Sequence, residues 1–344
     1  MPSAGGAFAF MDPLELTRAL VALETPTGSE QPAIDLLEAT LRRAGYLTLR
    51  QPVSHGRDNL YAYREPPELV FTTHVDTVPP HLPLVEDDVV IRGRGSCDAK
   101  GLAAAMVAAA ERLADAGERR IGLLFLVGEE NGSDGAKAAA DFGPRGRFII
   151  NGEPTENRLS VGQKGTLRID LSATGRAAHS AYPEDGFSAI AALLDTIERI
   201  RRLPLPRDPL LGPSTLNLGR IDGGIAPNVV PPYASAQLLV RTVEPTGPLK
   251  TTIREQLAPG VSVAFPVELH FRKSGKVPPG WDTTVVSYAS DLPFLSAWGE
   301  GYQMGPGTIR VAHTPQEHIL KADLLRGVDL YVRLATDLLS REAP

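Results

Sequence analysis

Residues 69–76 read Leu-Val-Phe-Thr-Thr-His-Val-Asp, and residues 121–130 read Ile-Gly-Leu-Leu-Phe-Leu-Val-Gly-Glu-Glu. Each is a short apolar run that gives way to groups able to ionise, and a third run, Phe148 to Ile150, leads to Glu153. Runs of this length without alternation predict strands buried on both faces, and the alanine-rich segment Gly101 to Ala114 predicts a helix between the first two. Strand, helix, strand, helix, strand is the rhythm of a largely buried α/β sheet. In such sheets ligands gather beyond the carboxyl ends of the strands, so the residues that follow each run are the first candidates for chemistry.

Upstream, Leu14, Leu16, Leu20, Leu23, Ile34, Leu37 and Leu41 fall at helical spacings broken by Thr25-Pro26-Thr27-Gly28, which predicts two helices around a turn. Downstream the texture changes. Thr166 to Ala173, Ser214 to Ile221 and Tyr233 to Thr242 alternate as half-exposed strands, Phe187 to Arg201 and Leu249 to Leu257 read as helices, and Val261 to Phe271 reads as extended. That order is βαββαβ, a small ferredoxin-like unit, with the proline-rich Leu203 to Pro213 as a surface loop inside it. After Arg272 the first texture returns, with helices expected at Asp291 to Trp298 and Leu320 to Leu339 and a turn at Gly305-Pro306-Gly307. The expected organisation is an α/β domain in two parts, 1–164 and 273–344, interrupted by an inserted domain, 165–272.

Composition bounds the function. A chain of 344 residues, 42% hydrophobic and 22% charged, is too long for a disulfide-stapled mini-protein and too apolar for a disordered one. Thirty-five Lys and Arg against 41 Asp and Glu leave a net charge of −6, and the aromatic residues form no stacking platform, so nucleic acid is not an expected partner. The single Cys97 cannot form an internal disulfide; it reads as a small buried thiol and suits a reducing compartment. The longest apolar stretch, Gly101 to Ala110, is about half of what a membrane-spanning helix needs, so no membrane partner and a cytoplasmic location are expected. The first ten residues, MPSAGGAFAF, lack the cationic region of a signal peptide and read as a tail, with Met11 an alternative start.

His74 and Asp76 lie two apart at a strand end, so in an extended chain both leave the same face, one to ligate and the other to orient it. Such a triplet is also common in solvated loops. Gly93 to Gly101 places Asp98 in a glycine-rich turn before a helix. The turn lacks the G-x-x-x-x-G-K-[ST] pattern and the third glycine of G-x-G-x-x-G, which argues against nucleotide binding. It leaves Asp98 as a carboxylate able to bridge two cations. Glu129 and Glu130, brought together, repel, so one is protonated or a cation sits between them. A divalent site would take one as ligand and leave the other to move a proton. Glu153, in Asn151-Gly152-Glu153-Pro154-Thr155, and His313 complete the set. Three acids, two divalent cations, a hydroxide and two neutral imidazoles come near neutrality, and these hard donors suit Zn²⁺, with Co²⁺ or Mn²⁺ as substitutes. His55, His81, His270 and His318, the last expected to open the final helix, read as solvent-facing or structural.

The succession His74-Val75-Asp76, Gly95-Ser96-Cys97-Asp98-Ala99-Lys100-Gly101, Gly128-Glu129-Glu130, Gly152-Glu153-Pro154-Thr155, Gly175-Arg176-Ala177-Ala178-His179-Ser180 and Gly224-Ile225-Ala226-Pro227-Asn228-Val229-Val230-Pro231 resembles the M20 metallopeptidase family. That family includes acetylornithine and acetyllysine deacetylases, succinyl-diaminopimelate desuccinylase, aminoacylase and glutamate carboxypeptidase. The likeness covers nearly the whole chain from Asp12. It implies a zinc-exopeptidase-like α/β catalytic domain with an inserted ferredoxin-like domain that serves as lid and dimerisation surface. It implies that His74, Asp98 and Glu153 hold one Zn²⁺ and that Asp98, Glu130 and His313 hold the other. Asp76 would orient His74, Glu129 would be the general base, and the Asp98–Ala99 peptide would be cis.

The resemblance also implies that His179 reaches the active site of a partner subunit, which makes the protein a homodimer through the inserted domain. Asn228 and Arg241 would bind the substrate's carbonyl and α-carboxylate, with Gly305 joining the substrate-binding set. A surface or capping role for His179 and a surface salt bridge for Arg241 stay open. Glu at position 153, where the family's aminopeptidases tend to have Asp, favours deacylases and carboxypeptidases. The expected activity is removal of an acyl group from an N-acyl amino acid, in the manner of acetylornithine and acetyllysine deacetylases. A dipeptidase or carboxypeptidase acting on a short peptide is the alternative, and a non-catalytic binding protein on the same fold is a remote third.

Overall fold

The computed structural model describes residues 12–342, so the reading of MPSAGGAFAF and Met11 lies outside the described residues. The chain divides into two compact units. One runs up to Val161 and resumes with Ser274–Thr284 and from Ser290 onward; the other comprises Gly162–Lys273 and Val285–Ala289.

In the larger unit the first helix, Pro13–Val21, starts where Asp12 accepts the N–H of Leu14 at 2.9 Å and Pro13 supplies a backbone already set for a first turn. The second, Gln31–Arg43, buries Ala33, Ile34, Leu37 and Leu41 on one face. A six-stranded sheet follows the order Leu47–Ser54, Arg57–Tyr63, Ile121–Leu126, Leu69–His74, Phe148–Asn151, Glu300–Gln303. Its first two strands form an antiparallel hairpin that joins Ile121–Leu126 antiparallel, and the remaining pairings are parallel. The three strands expected from their apolar runs are buried at every position, as central strands of a covered sheet must be.

The helix Lys100–Asp115 is buried at every residue from Lys100 to Ala110. Its alanines and glycine allow close approach to the Pro13–Val21 helix, the closing helix Lys321–Leu339 and the strands Leu69–His74 and Ile121–Leu126. Among the described residues no helix is long and apolar enough to cross a membrane. Two local expectations change. Leu292–Trp298 is a 3₁₀ segment interrupted at Leu295 instead of an α-helix, with Pro293 at its start. His318 lies in a short strand, His318–Leu320, antiparallel to Val90–Arg92, and the closing helix begins after it.

The smaller unit holds strands Gly165–Thr174, Thr215–Gly223, Tyr233–Thr242 and Val261–Ala264 and helices Ala189–Arg201 and Thr246–Glu255. Its sheet runs Thr215–Gly223, Tyr233–Thr242, Gly165–Thr174, Val261–Ala264, antiparallel throughout, so the fourth strand lies beside the first as in a ferredoxin-like sheet. Leu167, Ile169, Leu171 and Ala173 alternate inward and meet Ala189, Leu193, Ile197 and Ile200 of the first helix in one core. The fold is thus mixed α/β, as the apolar runs predict.

Candidate metal centre

The parallel strands of the larger unit end along one edge of the sheet, and three of them end at or just before an acid or imidazole. His74 is the last residue of its strand. Past Ile121–Leu126, Gly128 takes a left-handed φ of 80°, which lets the chain enter a single 3₁₀ turn, Glu129–Asn131. Two acids that an extended backbone would send to opposite faces are therefore carried on a turn. Glu153 stands two residues beyond Phe148–Asn151. Asp98 arrives from the glycine turn, and the Asp98–Ala99 peptide is cis. His313 adopts a left-handed φ of 61°.

Asp98 is the centre of the arrangement. Its Oδ1 lies 3.1 Å from His74 Nε2, and its Oδ2 lies 3.3 Å from His313 Nε2. The same His313 nitrogen is 3.0 Å from the carboxylate of Glu130. One ligand atom each from His74, Asp98 and Glu130 can be chosen so that all lie within 4.8 Å of one another, a spacing that cations can span. Glu153 is buried, with Oε1 3.5 Å from the Asn151 side-chain amide, and the charges of His74, Asp98 and Glu130 act on it. His313 keeps half of its side chain open to solvent, whereas only 2% of His74 is exposed.

Asp76 does more than the sequence suggests. Its backbone carbonyl is 3.0 Å from His74 Nδ1 and its carboxylate 3.5 Å, so it reaches the imidazole chiefly through the main chain. The carboxylate accepts the Thr27 hydroxyl at 2.7 Å and the backbone N–H groups of Glu129 and Glu130. It caps the turn that presents the two acids.

Burial drives the carboxyls of Glu129 and Glu153 well above the usual range. It pushes Glu130 up as well, against a hydrogen bond from His313. Burial also acts upward on Asp98, but hydrogen bonds from His313 and His74 outweigh it and hold that carboxyl below its ordinary value. Hydrogen bonds to Asp98 and Glu130 raise His313 to about 10. His74 is raised well above 6.5, because its bonds to Asp76 and Asp98 overcome the opposing effect of burial. A divalent cation would supply the positive charge that so many gathered acids call for. Imidazole nitrogens and carboxylate oxygens form a donor set suited to Zn²⁺ and to Co²⁺ or Mn²⁺. Cys97 stays out of it: the thiol is buried, burial pushes its pKa up, and its sulfur faces the Thr308 carbonyl at 3.7 Å.

The other predicted residues fall elsewhere. Gly305 is buried; its N–H donates to Thr155 Oγ1 at 3.0 Å, its carbonyl accepts from Asn157 at 2.9 Å, and an added Cβ would lie 2.6 Å from the Glu153 carbonyl. His179, Asn228 and Arg241 belong to the smaller unit. His179 is exposed, pairs with Val229 in an isolated bridge, and accepts the Ala181 N–H on Nδ1 at 3.1 Å. The carbonyl of exposed Asn228 accepts the Ser180 N–H at 3.0 Å, which sets those two segments side by side. Arg241 is half-buried; it donates to Thr166 Oγ1 at 2.6 Å and makes no ion pair among the described residues.

Three residues of the larger unit that sequence reasoning passed over are Arg94 and Glu317, an ion pair with both side chains almost wholly buried, and Asp291. Burial raises the Asp291 carboxyl to about 7, and its charge acts on Glu129 and Glu153. Nothing in its setting, a lone acid in Ser290-Asp291-Leu292-Pro293, marks it in the sequence.

Residues 70–337 match the model of peptidase family M20/M25/M40. A peptidase M20 domain-containing protein of Schizosaccharomyces pombe is 37% identical over 93% of this chain and 83% of its own length. A probable carboxypeptidase of Aspergillus terreus is 36% identical over 93% and 85%. Among solved structures, a tripeptidase from Staphylococcus aureus superposes with a TM-score of 0.78 at 23% identity, covering 95% of this chain and 98% of its own. With the family model spanning most of the sequence and the acids gathered at one sheet edge, the chain belongs to peptidase family M20/M25/M40 and is a metal-dependent hydrolase of peptide or amide bonds.

Proposed function

We propose that the protein cleaves the amide bond on the amino side of a residue with a free α-carboxylate, in the manner of a carboxypeptidase or dipeptidase, with two Zn²⁺ as its resident cations. The observation that carries this reading is the placement of Asp98, whose two oxygens face two different imidazoles. His74, Asp98 and Glu153 would hold one cation and Asp98, Glu130 and His313 the other. When bound, the pair supplies Lewis-acid polarisation of the scissile carbonyl and a lowered pKa for attacking water.

The chain's own residues do the rest. Glu129, whose proton affinity burial raises, takes a proton from the attacking water and returns it to the leaving amine. Asp76 holds the backbone on which Glu129 rides. His179 donates to the oxygen that becomes negative as the carbonyl is attacked, and Asn228 holds that carbonyl. Arg241 grips the substrate's carboxylate with its guanidinium. Two copies associate through the smaller unit, whose strand Thr215–Gly223 is a sheet edge with most of its residues exposed.

A second reading, deacylation of an N-acyl amino acid, is favoured by the segment Gly305-Pro306-Gly307 followed by His313 to His318, which is similar to the acetyllysine and acetylornithine deacetylase branch. The carboxypeptidase name of a relative at 36% identity supports the peptide instead. Mass spectrometry of products from a dipeptide and tripeptide panel beside N-acetylornithine and N-acetyllysine separates the two. No cleavage of any substrate by zinc-loaded protein sinks both and leaves a binding protein on this fold.

A further inference from the structure

Glu317 stands four residues after His313, and its carboxylate is committed to the loop that carries Asp98. Oε1 accepts the backbone N–H of Gly95 at 2.8 Å, of Asp98 at 3.3 Å and of Cys97 at 3.4 Å, and the Glu317 carbonyl accepts that of Gly93 at 3.2 Å. Oε2 meets Arg94 Nη1 at 2.5 Å. Arg94 in turn donates to the carbonyl of Thr314, the neighbour of His313, at 3.4 Å and to that of Pro80 at 3.2 Å. Glu317 is 1% and Arg94 2% exposed, so these groups have no water to fall back on. The carboxylate therefore satisfies three main-chain donors of a loop more than two hundred residues away in sequence and the carbonyl of the same residue a fourth, while the guanidinium that neutralises the acid holds the loop of the other imidazole.

We propose that Glu317, balanced by Arg94, is a positioning residue that sets the aim of Asp98 and locks it to the His313 loop. The proposal rests on the reading of Asp98 and His313 as ligands of adjacent cations. Physically, the glycine turn has no ladder to hold it: Gly93 and Gly95 adopt φ of 145° and 87°, and without the carboxylate the N–H groups of Gly95, Cys97 and Asp98 would be stranded. Asp98 presents one oxygen to each imidazole because the peptide groups just before it are pinned. Glu317 touches neither substrate nor cation; it acts through Asp98. The pair also adds no net charge beside an already acidic cage, which a lone glutamate would.

The test measures Co²⁺ binding to the full-length, metal-stripped protein by its visible d–d absorption, alongside thermal unfolding without metal. In the double variant Arg94→Met, Glu317→Met the buried charges leave together but so does the acceptor. We expect it to melt near the wild type while binding Co²⁺ about 10- to 100-fold more weakly with an altered spectrum. In Arg94→Met, Glu317→Gln an uncharged carbonyl replaces the carboxylate oxygen, and wild-type affinity and spectrum should return. Glu317→Gln alone, whose amide must turn donors toward Arg94 or the backbone, should resemble the first variant. Wild-type affinity and spectrum in Arg94→Met, Glu317→Met overturns the proposal. So does equal loss of binding in both glutamine variants, a comparison that stands even where the methionine pair fails to fold. Wild-type protein that binds no Co²⁺, Zn²⁺ or Mn²⁺ sinks the ligand reading itself, whereas wild-type binding with unresponsive variants sinks only the role of Glu317.

Discussion

The carboxylate of Asp76 accepts the backbone N–H of Glu129 at 3.0 Å through one oxygen, while the other takes that of Glu130 at 3.1 Å. One side chain thereby fixes the start of a three-residue turn on which both acids depend. Asp76→Ala should lower kcat about 10- to 100-fold, as loss of a group supporting a ligand does, and should weaken metal binding as well. Asp76→Asn, which keeps one acceptor oxygen, should lose less. Steady-state kinetics with metal content measured on the same samples checks both, and an Asp76→Ala enzyme at full rate would show that the turn holds without its cap.

Glu129 and the imidazoles should fail in different ways. Glu129→Gln is expected to cut turnover by about 10²- to 10⁴-fold, the usual worth of a general base, with metal content unchanged. His74→Ala and His313→Ala should lose metal and activity together. Elemental analysis beside kcat/KM distinguishes the two outcomes; metal loss in Glu129→Gln would make that residue a ligand.

Gly101 lies in the first turn of a helix, where alanine ordinarily improves helix stability by about 1 kcal/mol. Here an added Cβ would sit 2.2 Å from the Ser96 carbonyl oxygen, in the turn that leads to Asp98. Gly101→Ala should therefore destabilise by about 1–3 kcal/mol, the range for overpacking, and read as a lower melting temperature. A rise in melting temperature would mean that the loop yields freely.

The acid limb of stability should contain a contribution from Glu86. Hydrogen bonds from Arg18, at 2.7 Å, and from Lys321 lower its carboxyl from 4.5 to about 2. A lowered folded-state pKa gives stability that is present above pH 4.5 and lost as pH falls toward 2. The partners are part-exposed, so the contribution at neutral pH is about 1 kcal/mol or less. Urea unfolding of wild type and Glu86→Gln should differ at pH 7 and converge by pH 2; a constant difference across that range would refute the ion pairs as its source.

Association through the smaller unit is testable on its exposed apolar side chains. Ile221, Tyr233 and Ile225 are 47%, 57% and 67% exposed, and association through this unit would cover them. Light scattering should give twice the chain mass, and Ile221→Asp should shift it toward one. A wild-type protein of single mass removes the partner role from His179.

How much of this could be read in advance follows from the kind of interaction. The strands ending at His74, Leu126 and Asn151 are legible because both faces are buried and the apolar run is unbroken. The residues just past them are legible because strand ends in such sheets are where side chains can meet. The hairpin Leu47–Tyr63 went unpredicted: it lies at the sheet edge, its first strand is part-exposed along its length, and Arg50 and Pro52 interrupt any pattern. Glu317 and the second task of Asp76 were invisible for a different reason. Both bind main-chain N–H groups, which every residue but proline carries, so no partner motif exists to be found.

Parallel strands that deliver their polar residues to one rim leave the opposite rim without catalytic duties. The turn between the alanine-rich helix and the strand Ile121–Leu126 lies there, with Gly117 in a left-handed conformation and open space where a Cβ would project. A peptide tag or surface tether spliced at that turn would emerge on the far side of the sheet from the acids. An immobilised form of the enzyme is best anchored by that bend, leaving the working edge facing the medium.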